Sequence, residues 1–160
     1  GDITVVEFFD YNCGYCKRVA PAVNAVVAND PNVRIVYKEF AILGPNSLVA
    51  ARAALAAKRQ GKYGEFHDAL MSAEQADAGT VTATAKALGL DYEKLVRDME
   101  DPEITEQLER NYRLANALGI NGTPAFVIGD RLVPGAIDEN AMMEIIADER
   151  AKMTAAPRGN

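Results

Sequence analysis

The run FFDYNCGYCKRVAP, Phe8 to Pro21, holds both cysteines of this 160-residue chain, separated by two residues. The sequence on either side of it decides the fold. Upstream, ITVVEFF (Ile3–Phe9) is short, β-branched and aromatic, and apolar apart from Thr4 and Glu7, as in a strand buried on both faces. Downstream the period changes. From Cys13 to about Asn29, Val19, Val23, Val26 and Val27 fall on one helical face, and Pro21 is expected to interrupt and kink that helix. Asp30-Pro31-Asn32 marks a turn, and VRIVYKEF (Val33–Phe40) reads as a second strand. Strand, helix, strand predicts a right-handed unit with parallel strands.

The middle of the chain differs. From Asn46 to about Leu118 it is rich in Ala, Leu, Glu and Lys, punctuated by QGKYG, DAGT and LGLD, which predicts four or five helices. Candidate caps are Asn46 or Ser47, Thr80, Asp91, and Asp101 followed by Pro102 at the first helical position. Strands return with PAFVIG and RLVPGA around a tight Gly129-Asp130 turn. Asp138 then caps a last amphipathic helix, ENAMMEIIADERAKM, and the tail TAAPRGN is expected to fray. The expected architecture is one α/β domain over 1–160: β-α-β, a helical insertion at roughly 46–118, then β-β-α.

Composition narrows the function. At 49% hydrophobic the chain is globular, and at this length it folds without staples. A net charge of −6 argues against a nucleic-acid binder, which needs a basic face to displace phosphate counterions. No apolar run approaches the ~20 residues of a membrane span, so no membrane insertion is expected. The chain opens at Gly1-Asp2-Ile3 straight into a strand, with no signal peptide, and a segment N-terminal to it is expected to be missing.

Three readings compete for Cys13 and Cys16. A disulfide between them closes a loop of about four residues, worth roughly 2 kcal/mol against ~4.7 for a hundred-residue loop, a poor staple. A zinc clip needs about four ligands, and the chain adds only the distant His67 to its two thiols. A Cu(I) ion could be held by the two thiolates alone, in a metal-handling protein without turnover. The redox reading has positive support. The i, i+3 spacing at a helix start brings both sulfurs to one face within bridging distance. Cys13 lies at the helix mouth, where free N–H groups and the dipole stabilise a thiolate, and Lys17 and Arg18 add positive charge. Cys16, a turn deeper, is expected to be buried and less acidic than an exposed Cys13, the asymmetry that thiol–disulfide exchange uses. Glu7, an acid within a buried strand, fits beneath that first turn as a proton acceptor; Lys38 on the next strand is a candidate counter-charge, although a surface lysine is the simpler account of it. A strand-edge glutamate reaching solvent is the alternative.

Together, VVEFFDYNCGYCKRVAP, the segment INGTPAFVIG and the order of elements resemble the DsbA-like thioredoxin-fold oxidoreductases, within them the 27 kDa outer membrane protein and ScsC-like group. The resemblance spans nearly the whole chain. It implies Cys13 as nucleophile, Cys16 as resolving thiol, Glu7 as the buried acid ahead of the motif, and Thr123-Pro124 as a cis-proline loop facing the disulfide. Such a loop offers a strand-like edge to a substrate peptide. The resemblance also implies cysteine-containing substrate proteins, a membrane redox partner for recycling, the bacterial periplasm, and no cofactor. The dipeptide between the cysteines departs from it. Gly14-Tyr15 replaces the Pro-His of strongly oxidising DsbA, which implies a weaker oxidant. Together with Thr123 before Pro124 it is similar to DsbC-type isomerases, which are homo-oligomers through an N-terminal module.

The remaining candidates read plainly. Tyr15 is expected to be exposed at the helix tip and to contribute to substrate contact. His67 is a packed or partly exposed helix residue. Leu48, Ala51, Ala54 and Leu55 form a core stripe. Asp10 is near enough to oppose the thiolate, although a solvated loop aspartate is the simpler account.

Overall fold

The computed structural model describes residues 2–155. Strand β1 (Ile3–Phe9), helix α1 (Gly14–Asn29) and strand β2 (Val33–Glu39) form the expected β-α-β unit, with β1 and β2 parallel from Ile3↔Val33 to Phe9↔Glu39. Five helices follow: α2 (Pro45–Lys58), α3 (Tyr63–Ser72), α4 (Ala78–Ala87), α5 (Tyr92–Met99) and α6 (Pro102–Ala117). The chain then returns as the hairpin β3 (Ala125–Ile128) and β4 (Arg131–Pro134), and ends in α7 (Glu139–Ala155). The sheet order is β2-β1-β3-β4. Because β3 runs antiparallel to β1, the sheet is mixed, a thioredoxin-like α/β architecture with a helical insertion.

Side-chain alternation along β1 divides the core. Ile3 and Val5 pack with Val19, Val23 and Val26 of α1, Phe126 and Ile128 of β3, and Met142 and Ile146 of α7. Phe8, on the opposite face, packs with Phe40 and with Ala115 of α6. At the C-terminal end of β1, Phe9, Tyr11, Cys13 and Cys16 meet the insertion through Phe66, Leu70, Leu95, Ile104 and Leu108. The buried side of α2 is almost entirely alanine (50, 51, 53, 54, 56 and 57), which lets its neighbours approach closely.

Several local expectations need correction. Pro21 removes one ladder hydrogen bond but does not interrupt α1, which runs unbroken to Asn29. The cap of α2 is Gly44 with Pro45 at the first turn, not Asn46 or Ser47, because the Ser47 hydroxyl is already donated to Asp10. Thr80 lies inside α4, whose cap is Asp77, accepting the Thr80 N–H at 2.9 Å. Leu48 is not core: it is 37% exposed, while Ala51 and Ala54 are buried. The caps Asp91, Asp101 and Asp138 stand as read. Of the tail, Thr154 and Ala155 belong to α7; residues 156–160 lie outside the described residues.

Gly129 closes the β3–β4 turn with φ +58, and a Cβ built there lies 3.1 Å from the Cβ of Glu149 on α7. A left-handed conformation costs an L-residue roughly 1–2 kcal/mol, and the contact adds to it. Gly129→Ala is therefore expected to lower unfolding stability by about 2 kcal/mol, read from the urea midpoint at constant slope. An unchanged midpoint contradicts this account of the turn.

Candidate functional site

The two cysteines lie where β1 hands over to α1, and the loop between those elements is held residue by residue. Asp10 accepts the N–H groups of Asn12 (2.7 Å), Ile42 (2.9 Å) and Leu43 (3.0 Å) and the hydroxyl of Ser47 (2.6 Å). At 1% exposure it is not the solvated loop aspartate that the sequence suggests. Its short side chain satisfies buried backbone donors instead. Asn12 pairs with Ala76 in both directions, donating to its carbonyl at 2.9 Å and accepting its N–H at 2.8 Å. Tyr11 points inward and is 1% exposed.

Cys13 is the N-cap of α1, and its Sγ accepts the Cys16 N–H at 3.2 Å. Both thiols are free. Their electrostatics diverge as the helix geometry requires. The Cys13 thiol is held down at about 6, first by the Cys16 thiol bonded to it; Thr123 and the N–H groups of Cys16 and Tyr15 add to this, and burial works against it. The same bond, with burial, pushes Cys16 far up. One expectation needs correction: Cys13 is not open to solvent but only 6% exposed, against 0% for Cys16. The covering group is the segment before β3, where the Thr123-Pro124 peptide is cis and the Thr123 carbonyl lies 3.5 Å from Sγ. Beside that segment a cleft of about 220 Å³ is lined by Ile120, Pro124, Leu132 and Pro134, among others.

Glu7 is 2% exposed, so the solvent-facing alternative falls. It lies on the face of β1 that carries Ile3, Val5 and Phe9, beneath α1, with Tyr37 as its register partner. Burial, then the charge on Cys13, raises its pKa to about 8. Lys38 is not its counter-charge. It is paired in register with Phe8 and so projects from the opposite face, and among the described residues Glu7 has no ion pair. Lys17 does not stand free beside the sulfurs: its Nζ donates to the carbonyls of Leu70 (3.0 Å) and Ala73 (2.7 Å), tying α1 to the end of α3. Gly14 and Tyr15 are exposed at the helix tip, Tyr15 at 58%, with the Arg18 guanidinium 4.5 Å over its ring.

His67 is a packed residue, 3% exposed, its ring 4.1 Å from that of Tyr37. Among the described residues no group of three or more His, Cys, Asp or Glu side chains could hold a metal ion. The residue that sequence reasoning missed is Glu39. It is buried at the end of β2 and accepts hydroxyls from Tyr11 and Tyr63. Its signal was present, since an acid within VRIVYKEF is as anomalous as Glu7 within ITVVEFF.

A family model described as the DSBA-like thioredoxin domain matches residues 4–147. Among solved structures, the chain is similar to a thioredoxin-like oxidoreductase from Silicibacter pomeroyi DSS-3 (51% identity, TM-score 0.91, covering 94% of this chain and 88% of that one). It is also similar to the thiol-disulfide exchange protein alpha-DsbA2 from Wolbachia pipientis (29%, TM-score 0.86, 92% and 82%). The catalytic domain of Proteus mirabilis ScsC is a third relative (30%, TM-score 0.87, 95% and 85%). Curated relatives include a Na(+)/H(+) antiporter, NhaA 3, from Salinispora tropica, 27% identical over 160 residues. The chain spans about a quarter (24%) of the length of that protein.

Thiolate absorbance of the reduced protein is expected to rise in one step near pH 6, from Cys13, with no contribution from Cys16 through the neutral range. In Cys16→Ala the step is expected to move upward, because the largest stabiliser of the Cys13 anion is gone while the residue-16 N–H remains. A step near the free-cysteine value of ~8.5 in the unmutated protein contradicts the site as described.

Proposed function

The chain belongs to the family of DsbA-like thioredoxin domains, and we propose that its CGYC pair exchanges disulfides with cysteine-containing proteins through a mixed disulfide at Cys13. The observation that carries this reading is the Cys13 sulfur itself. It caps a helix, accepts an N–H at 3.2 Å and titrates near 6, so at neutral pH it is mostly the nucleophilic anion. Cys13 Sγ attacks one sulfur of a substrate disulfide; that S–S bond breaks, the other substrate sulfur leaves as a thiolate, and a Cys13–substrate disulfide forms. Cys16 then attacks Cys13, releasing the second substrate sulfur and closing the Cys13–Cys16 bond. The two electrons lost by the cysteine pair have passed to the substrate. Run in reverse, the same steps oxidise a substrate dithiol.

Cys16 must lose its proton before it can attack, and Glu7 is the group assigned to take it. In the mixed disulfide Cys13 carries no charge, so one of the two causes that hold Glu7 up disappears when a base is required. The Thr123-Pro124 loop, against Cys13, is assigned to the substrate backbone, and Gly14 and Tyr15 to the substrate surface around the scissile bond. Gly14-Tyr15 places no cation of its own on the thiolate, which favours a moderate oxidant suited to isomerisation or reduction over a strong oxidase. The reading carries an oxidising compartment, the bacterial periplasm, and a membrane redox partner with it. Among the described residues no helix is long and apolar enough to cross a membrane.

Cys16→Ala is expected to accumulate a covalent adduct with a disulfide-bearing substrate through Cys13, visible by non-reducing electrophoresis and released by dithiothreitol. Cys13→Ser is expected to abolish exchange. Glu7→Gln is expected to leave adduct formation intact and to slow its resolution at least about tenfold. Full refolding activity on scrambled ribonuclease in Cys13→Ser overturns the reading.

A further inference from the structure

Behind the cysteine pair lies a second cluster of titratable groups that the exchange steps leave unused. Tyr11 Oη donates to Glu39 Oε1 at 2.7 Å, and Tyr63 Oη donates to the same oxygen at 2.8 Å. Tyr11 Oη also lies 3.0 Å from Nδ1 of His67. A phenol has one proton, and Tyr11 gives it to Glu39. The third contact therefore runs the other way, with Nδ1–H of a neutral His67 donating to the Tyr11 oxygen. Burial agrees, pushing His67 down to about 4. Tyr11, Glu39 and His67 are 1%, 2% and 3% exposed. The rings of Phe9 and Tyr37 enclose the histidine, at centroid distances of 4.8 and 4.1 Å.

Such a cluster is an expensive way to fill a core. Apolar residues of similar volume often stabilise a core as well, so a fully satisfied buried polar network is better explained by the single arrangement it holds. What it fixes here is the loop before the nucleophile. Asp10 is tied to Ile42, Leu43 and Ser47, and Asn12 to Ala76. Tyr11, between them, is the inward anchor. The Cys13 N–H in turn donates to the Asp10 carbonyl at 3.1 Å. The orientation that turns Sγ back onto the Cys16 N–H is thereby set from three sides. We propose that Glu39 and His67 are positioning residues, which act through the Tyr11 hydroxyl to hold Cys13 in the geometry that stabilises its thiolate. The inference deepens the exchange reading and rests on it for its purpose, but its test reads the thiol alone. Other ionisable groups around the clamp are Asp10 on the same loop, Glu7 on β1, Tyr37 on β2, Tyr63 on α3 and Lys17 on α1.

The test compares thiolate titrations of reduced variants, followed by ultraviolet absorbance. Tyr11→Phe keeps the ring and deletes the hydroxyl; the Cys13 midpoint is expected to rise by about one pH unit, and reaction with a small aromatic disulfide at pH 6.5 to slow several-fold. Glu39→Leu, which cannot accept the hydroxyl, is expected to match it. Glu39→Gln keeps an acceptor oxygen and is expected to restore a midpoint near that of the unmutated protein. Leu95→Ala, a buried deletion on α5, supplies the control: a loss of melting temperature with no change in the midpoint. If Glu39→Leu does not fold, Tyr11→Phe, one oxygen smaller, decides alone. A folded Tyr11→Phe with an unchanged midpoint, whatever its melting temperature, overturns the proposal, as does a Leu95→Ala shift of the same size. Loss of protein-substrate exchange with this pattern intact would instead count against the function proposed above.

Discussion

The Cys13 sulfur occupies the N-cap position of α1, where a side-chain oxygen ordinarily stands, and accepts the Cys16 N–H at 3.2 Å. A neutral thiol is a poor cap and an anion a good one, so the helix and the thiolate stabilise each other. The demand this makes is positional. A cap works only if the residue before the helix holds its backbone in place, here with φ −84 and ψ 116. The rest of the site is arranged around that requirement: β1 delivers the chain to the helix mouth, the insertion grips the loop, and the segment before β3 closes over the sulfur.

The five-helix insertion is therefore more than an appendage to the sheet. The three residues that precede Cys13 are all held by it: Asp10 and Asn12 by Ser47 on α2, Tyr11 by His67 on α3, and Asn12 again by Ala76 before α4. Lys17, one turn into α1, spends its ammonium on the carbonyls at the end of α3. The insertion and α1 are thus tied together on both sides of the cysteines. The Ala-rich face of α2 lets these helices pack closely enough for such short side chains to reach.

Much of this was legible in the sequence because it follows from local chemistry. The buried run Ile3–Phe9, the change of period at Cys13, the Asp101-Pro102 cap and the Gly129 turn each announce themselves within a few residues. What was not legible depends on register and long-range contact. Whether Lys38 pairs with Glu7 or lies at the surface turns on register: the pairing Phe8↔Lys38 puts it on the other face, a matter of one residue. Asp10 looked solvated because its four donors come from distant as well as adjacent positions, 12, 42, 43 and 47. Cys13 looked exposed because the group that covers it lies 110 residues on. Glu39 carries the same signal as Glu7, but no motif lies beside it to give that signal a role.

The charges at the site act on stability with opposite signs. The folded Cys13 thiol, near 6, lies below the ~8.5 of an unfolded cysteine. Its contribution to folding is complete above that unfolded value and is lost as pH falls through the folded one. Glu7 and Glu39, both raised to about 8 by burial, do the reverse: folding is favoured below the carboxyl's ordinary value near 4.5 and loses that advantage as pH rises through 8. Between pH 6 and 8 the two slopes oppose each other in the reduced protein. In the disulfide form Cys13 no longer titrates, and only the carboxyls remain, with Glu7 relieved of the neighbouring charge. The pH dependence of stability thus differs between the two redox states. Because the reduction potential measures the free-energy gap between those states, Glu7, whose pKa responds to the charge on Cys13, enters it, whereas Glu39, held up by burial and by Asp10 and Glu7, weighs on both states alike.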